Sequence, residues 1–149
     1  ARPLMMALMS GPVAVSVSAD SWGMYYEGVL DCKRDVVINH AVTLTGYGND
    51  EALGKHYWNI RNSWGDFWGE SGNIRILRQP TIKEDDEFCG TDNNPADGVE
   101  CEPYPKKVTV CGVCGILYNS VTASFGEPGR PQLSKGAVRQ SSLRGAAAA

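Results

Sequence analysis

His40 and Asn62 are the side chains whose chemistry stands out. An imidazole moves protons near neutral pH, but as a general base it must be held in one tautomer. An Asn side-chain oxygen that accepts the ring N–H does this and leaves the other ring nitrogen for a nucleophile. Asn does not add the negative charge that Asp would. It therefore suits a thiolate–imidazolium pair, where the nucleophile is already ionised and little more basicity is needed. An indole at Trp64 would shield the His–Asn hydrogen bond from water and strengthen it in a lower local dielectric. The plainer alternative is a satisfied polar pair, with Trp58, Trp64 and Trp68 as core or edge aromatics.

Strands must bring the two residues together. Ile38-Asn39-His40-Ala41-Val42 lies at the mouth of one predicted strand, Ala41 to Thr45, and Arg61-Asn62-Ser63-Trp64-Gly65 lies at the end of the next, Tyr57 to Arg61. In a hairpin the start of the first strand lies near the end of the second, so His40 and Asn62 meet on one edge. Asn49 to Gly54 supplies the turn. Upstream, Val13, Val15 and Val17 alternate with Ala14, Ser16 and Ser18 in the pattern of a half-buried strand. Asp20 or Ser21 then caps a short predicted helix, Trp22 to Glu27, ended by Gly28. Asn73 to Leu77 reads as a further strand, and Val108 to Val110 and Gly115 to Val121 as two more. From Gln79 to Pro105 the pattern dissolves, and Glu84-Asp85-Asp86-Glu87 reads as a solvated loop. Residues 123–149 turn to Gly, Pro, Ser and Ala and read as a disordered, low-complexity tail, leaving 1–122 as the folded unit.

Composition narrows the function classes. With 149 residues, a net charge of −3 and 21% charged residues, the chain offers no basic face for a phosphate backbone, which argues against nucleic acid as a partner. The longest apolar stretch, Leu4 to Met9, falls far short of the roughly 20 residues of a membrane span, which argues against a membrane. A helix-like pattern is already under way at Ala1, so the chain reads as a piece of a longer protein. The five cysteines, Cys32, Cys89, Cys101, Cys111 and Cys114, sit mostly among turn-forming residues and read as disulfide staples in an oxidising compartment. Cys111-Gly112-Val113-Cys114 has zinc-ligand spacing, but Cys89 and Cys101 are too far apart to form the matching pair. A thioredoxin-like role would need a helix opening at Cys111, where glycines stand instead.

Several motifs occur in one order: Gly11-Pro12-Val13, Asn39-His40-Ala41-Val42, Gly46-Tyr47-Gly48, Tyr57-Trp58, Asn62-Ser63-Trp64-Gly65 and Trp68-Gly69-Glu70-Ser71-Gly72. Together they resemble the second half of the papain-like, cathepsin-type cysteine peptidases, a family that uses Cys-His-Asn catalysis. The resemblance implies an α+β fold: the antiparallel, barrel-like lobe of that family, with a short N-terminal helix remnant. It implies that His40 is the catalytic base and Asn62 its orienting partner. Trp64 would cover them and, with Trp68, line the leaving-group side of the cleft. Ile38, Asn39 and Ala41 would flank the base at the substrate-binding wall. Counting from Cys114-Gly115-Ile116, Asn119 falls at the floor of the main specificity pocket. The resemblance further pairs Cys32 with Cys114, suggests Cys89 with Cys101, and leaves Cys111 over. No cofactor or metal is implied. The implied partners are a peptide or protein substrate and an N-terminal lobe of the same enzyme, in a lysosomal, vacuolar or secreted setting.

One departure matters most. No Gln followed by a Gly-rich Cys-Trp segment precedes a helix in this chain, so the nucleophile and its oxyanion-stabilising Gln are missing. The chain alone is expected to be inactive. The alternative is a non-catalytic module that keeps the cleft to bind peptides or a partner; retention of both His40 and Asn62 argues against it. A polar Asn119 predicts tolerance for polar or larger P2 residues. Asn119→Ala should therefore change cleavage unevenly across a P2 peptide series, and an equal loss against every P2 variant would contradict it.

Overall fold

The computed structural model describes residues 1–33, 35–98, 102–123 and 140–141. Helix α1 (Arg2–Leu8) carries Pro3 in its first turn, where a missing N–H is harmless, and anchors itself through buried Leu4. Strand β1 (Val13–Val17) follows, with its three valines in the core. The helix expected at Trp22 to Glu27 does not form. The N–H groups of Trp22 and Tyr25 reach back only three residues, to Ala19 and Trp22, giving isolated turns. Both rings are drawn into the core, and Tyr25 is tied down by its O–H donating to Gly28 O at 2.7 Å. Asp20, one of the two expected caps, is engaged by Asn39 instead.

The hairpin is β3 (His40–Asp50) and β4 (Lys55–Arg61), reached through the short β2 (Val29–Leu30). β3 runs through Gly46-Tyr47-Gly48 to Asp50, so the turn is shorter than expected, 51–54. A register shift between Leu44 and Gly46 leaves Thr45 as a bulge, and Thr45 Oγ1 accepts from Asn59 Nδ2 at 2.9 Å. β5 (Asn73–Arg78) completes the central sheet, burying Ile74 and Ile76 beside Trp58 and Ile60.

The acidic run is not a loop. Thr81 and Glu84 form a reciprocal capping box that opens α2 (Ile82–Glu87), and the acidic first turn suits the helix N-terminus. Asp85 is fully buried, with its carboxylate accepting from the Gln79 N–H at 3.2 Å, and burial pushes its carboxyl above the usual Asp value. β6 (Cys89–Asp92) then pairs with β7 (Val108–Cys111) in a separate two-stranded sheet. The last predicted strand shrinks to β8 (Asn119–Val121), because Cys114 and Gly115 adopt left-handed backbone in a 3-10 turn over Val113–Gly115. Of the expected tail, β9 (Gln140–Ser141) pairs with β8, and 124–139 and 142–149 lie outside the described residues.

The main sheet has the order β2-β5-β4-β3-β1-β8-β9, antiparallel except for β2 against β5. The fold is the expected sheet-dominated α+β arrangement, but the sheet stays open. Its two edge strands have two residues each, too few to close a ring.

The expected Cys32–Cys114 disulfide is present. The expected Cys89–Cys101 pairing is overturned: β6 and β7 place Cys89 directly opposite Cys111, and these two are bonded. Cys111 is therefore not left over, and Cys101 lies outside the described residues. Cys32 and Cys114 are 82 residues apart, against 22 for the other bridge. Chain entropy then favours the longer link by about 1 kcal/mol. Urea unfolding should show Cys32→Ala/Cys114→Ala losing about 2–5 kcal/mol, and Cys89→Ala/Cys111→Ala losing less; the reverse ranking would contradict this assignment.

Candidate active site

Strand register, rather than sequence proximity, brings the chemical groups together. Leu44 pairs with Ile60 across β3 and β4, and both are fully buried. With a side-chain period of two, His40 and Val42 share the face of Leu44, and Asn62 shares the face of Ile60. The two side chains converge there. His40 Nε2 lies 2.9 Å from Asn62 Oδ1, although the residues are 22 apart in the chain. An amide oxygen only accepts, so Nε2 carries the proton and Nδ1 is left as the basic nitrogen. Asn62 is itself fixed. It is 4% exposed, its Oδ1 also accepts from the Ser63 N–H at 2.8 Å, and its backbone N–H donates to Gly72 O at 2.9 Å.

An aromatic cluster covers this pair. The Trp64 ring lies 5.3 Å from the His40 ring, tilted by 31°. Trp68 meets Trp64 edge-on at 5.0 Å and stacks on Trp22 at 6.3 Å. Trp22 also presents an edge to His40 at 6.0 Å. The helix expected at Trp22 gave no hint of this residue's place beside His40; the signal available was an aromatic in a glycine-punctuated segment, which seldom stays helical.

The loop holding Trp64 and Trp68 is pinned by charge. Glu70 accepts from the Gly28 N–H at 2.9 Å and from Arg75 Nε at 2.8 Å and Nη2 at 2.6 Å, while Arg75 Nη1 donates to Asp50 at 2.5 Å. Gly69 sits between, at φ +55°, where a Cβ would lie 2.6 Å from Asn73 O and against the Tyr25 ring. Burial pushes the Glu70 carboxyl up, but the Arg75 and Gly28 donors outweigh it and hold the carboxyl below the usual Glu value.

The other expected site residues divide. Asn39 stands beside His40 at the surface. Its Oδ1 accepts from the Ala19 N–H at 3.0 Å, and its Nδ2 donates to Asp20 at 2.6 Å. With Ala19, Asp20, His40 and Trp64 it lines a hollow of about 310 Å³. Ala41 points to the opposite face. There β1 places Ser16 opposite both Ala41 and Asn119, so the three form one row across β3, β1 and β8. Asn119 is two strand spacings, roughly 10 Å, from Ala41. Ser16 was not singled out from sequence, because only the pairing of β1 with both neighbours reveals it. Ile38 is not brought into the open cleft: it is 3% exposed and packs at Gly115, where an added Cβ would lie 2.5 Å from its Cδ1. A second hollow, of about 280 Å³, lies along Ala14, Ala41, Thr43, Arg61, Asn62 and Ser63.

A buried Asn orienting a His beneath tryptophan, at the end of an antiparallel hairpin, is the arrangement that the motif order led us to expect. Residues 1–99 match the family model for papain family cysteine proteases. The chain belongs to this family. Among its papain-family relatives, fruit bromelain from Ananas comosus is 41% identical over 90 residues, 60% of this chain and 25% of the relative. Thiol protease SEN102 from Hemerocallis sp. is 42% identical over 105 residues, 69% of this chain and 28% of the relative. The chain thus spans about a quarter of the length of these curated relatives. Among solved structures, the bromelain protease from Ananas comosus in complex with the E64 inhibitor superposes with a TM-score of 0.54 at 32% identity, covering 77% of this chain and 41% of that one. A Carica candamarcensis cysteine protease, also in complex with E-64, gives a TM-score of 0.51 at 29% identity, covering 80% and 41%.

The Glu70 contacts carry a pH signature. A carboxyl held below its unfolded value adds stability that is fully present above about pH 4.5, the ordinary glutamate value. That stability is lost as pH falls through the folded value. Glu70→Gln should therefore lower stability at pH 7 and flatten the acid limb of the stability–pH curve; an unchanged acid limb would contradict the assigned role.

Proposed function

We propose that this chain is the base-bearing lobe of a cysteine peptidase that hydrolyses peptide bonds, acting with a thiolate carried on a preceding lobe of the same protein. The observation that carries this reading is the 2.9 Å contact of His40 Nε2 with Asn62 Oδ1 beneath Trp64, which commits one ring nitrogen and frees the other. The four described cysteines are all in disulfides, so among the described residues no thiol is available to attack. The thiolate would add to the peptide carbonyl. His40, as imidazolium, would then give its Nδ1 proton to the leaving amine, forming a thioester. With Nδ1 now free, His40 would take a proton from water as it attacks the thioester, releasing the acid and restoring the thiolate–imidazolium pair.

In this reading, Trp64 and Trp68 line the leaving-group side, and the Ala41–Ser16–Asn119 row faces the side chain two residues before the scissile bond. The two disulfides support an oxidising setting, lysosomal, vacuolar or secreted.

The test is cleavage of a fluorogenic peptide by the protein carrying this chain together with its preceding lobe. His40→Ala should lower kcat by about 10²–10⁴. Asn62→Ala should cost less, and the double variant should be little worse than His40→Ala, because the two act as one unit. An intact protein that cleaves nothing would favour the non-catalytic binding module. A His40→Ala variant with full activity would overturn the role of His40.

A further inference from the structure

We propose that Asp20 is a specificity-determining residue that favours a cationic side chain on the residue just after the scissile bond. The proposal rests on the peptidase reading above and concerns a carboxylate that the catalytic steps do not use.

Geometry fixes where that residue must lie. The leaving amine receives its proton from His40, so it must come within about 2.6–3.2 Å of Nδ1. Its own side chain then enters a hollow that has His40 in its wall. The hollow of about 310 Å³ formed by Ala19, Asp20, Asn39, His40 and Trp64 meets this condition. The second hollow, along Ala41 and Arg61, does not include His40 in its wall. It is an open surface hollow of about 310 Å³, with room for one long side chain.

The walls of this hollow suit a cation on an alkyl stem. Trp64 offers a partly exposed indole, 43% accessible, against which a methylene stem packs and a cation is attracted. The exposed Asp20 carboxylate lines the same hollow. This group does not swing freely. Asn39 Nδ2 donates to Asp20 Oδ1 at 2.6 Å, and Asn39 is itself held by the Ala19 N–H at 3.0 Å. One oxygen is thus anchored by a neutral donor, and Oδ2 remains for a ligand. Because Asn39 brings no charge, it positions the carboxylate without neutralising it. Among the described residues no Lys or Arg forms an ion pair with Asp20. The hollow therefore carries a fixed negative charge beside the proton donor. Holding the group in place before substrate arrives reduces the ordering cost of binding.

An exposed ion pair sets the scale of the effect. Replacing Ala by Lys or Arg after the scissile bond should raise kcat/KM about two- to fivefold at low salt. Glu should lower it, and both effects should shrink as ionic strength rises toward 1 M.

Internally quenched peptides that differ only at that position, cleaved by the protein with its preceding lobe, provide the test. Asp20→Asn keeps the oxygen that accepts from Asn39 and removes the charge. It should bring the Lys-to-Ala ratio of kcat/KM close to one, and Asp20→Lys should invert it toward Glu. Cleavage with a Lys-to-Ala ratio that Asp20→Asn leaves unchanged would overturn the proposal while leaving the peptidase reading intact. If no peptide is cleaved, the peptidase reading fails, and the carboxylate is judged on the 149-residue chain by amide NMR at millimolar ligand. Lysinamide should then shift the Asp20 and His40 signals where norleucinamide does not, and Asp20→Asn should abolish the difference. Equal shifts from both ligands would overturn the proposal.

Discussion

The antiparallel pairing of β3 with β4 is the constraint from which the site follows. It turns a separation of 22 residues into a hydrogen bond of 2.9 Å between His40 and Asn62. The pairing is stabilised mainly by burial, with Leu44, Trp58 and Ile60 each 0% exposed in the core. A slip of β3 by one residue would send Leu44 to solvent and turn His40 away from Asn62 in the same movement. The cost of exposing that core therefore also protects the contact between His40 and Asn62. The Thr45 bulge lies on the far side of Leu44 from His40, so the irregularity is absorbed before it reaches the site.

A second layer keeps His40 covered. Trp64 belongs to a loop with little regular structure, and such a segment needs fixed ends. Asn62 is tied to Gly72 at one end, and the Glu70 and Arg75 contacts with Gly28 and Asp50 secure the other. Tyr25 and Trp22, drawn inward rather than helical, form the surface on which Trp68 rests. The contacts of Glu70 and Arg75 thus fix the loop that carries Trp64 and Trp68. The imidazole sits in a lower dielectric than open water, where its bond to Asn62 is stronger.

Much of this was legible in the sequence. Alternation at Val13 to Val17 and at Asn73 to Leu77 reported strands directly, because each buries one face against a single core. The His40 and Asn62 segments stood out because their residue types are unusual at strand ends. Other features depended on long-range pairing. Ser16 joins Ala41 and Asn119 only through the register of three strands. Cys89 meets Cys111 through a hairpin that turn-rich composition concealed. The α2 helix was within reach, since Thr81 and Glu84 have capping-box spacing, but four consecutive acids outweighed that signal in a reading based on charge. The Trp22 segment failed for the opposite reason: local helix signals lost to burial of two large rings.

The fold of this chain by itself sets the tautomer of His40. Long-range ¹H–¹⁵N NMR of the imidazole, on the 149-residue chain above its titration range, tests it most directly. The expected result is a neutral His40 with the proton on Nε2 and Nδ1 bare, and a mixed population once Asn62 is replaced by Ala. A ring protonated mainly on Nδ1, or a tautomer ratio that Asn62→Ala leaves unchanged, would contradict it.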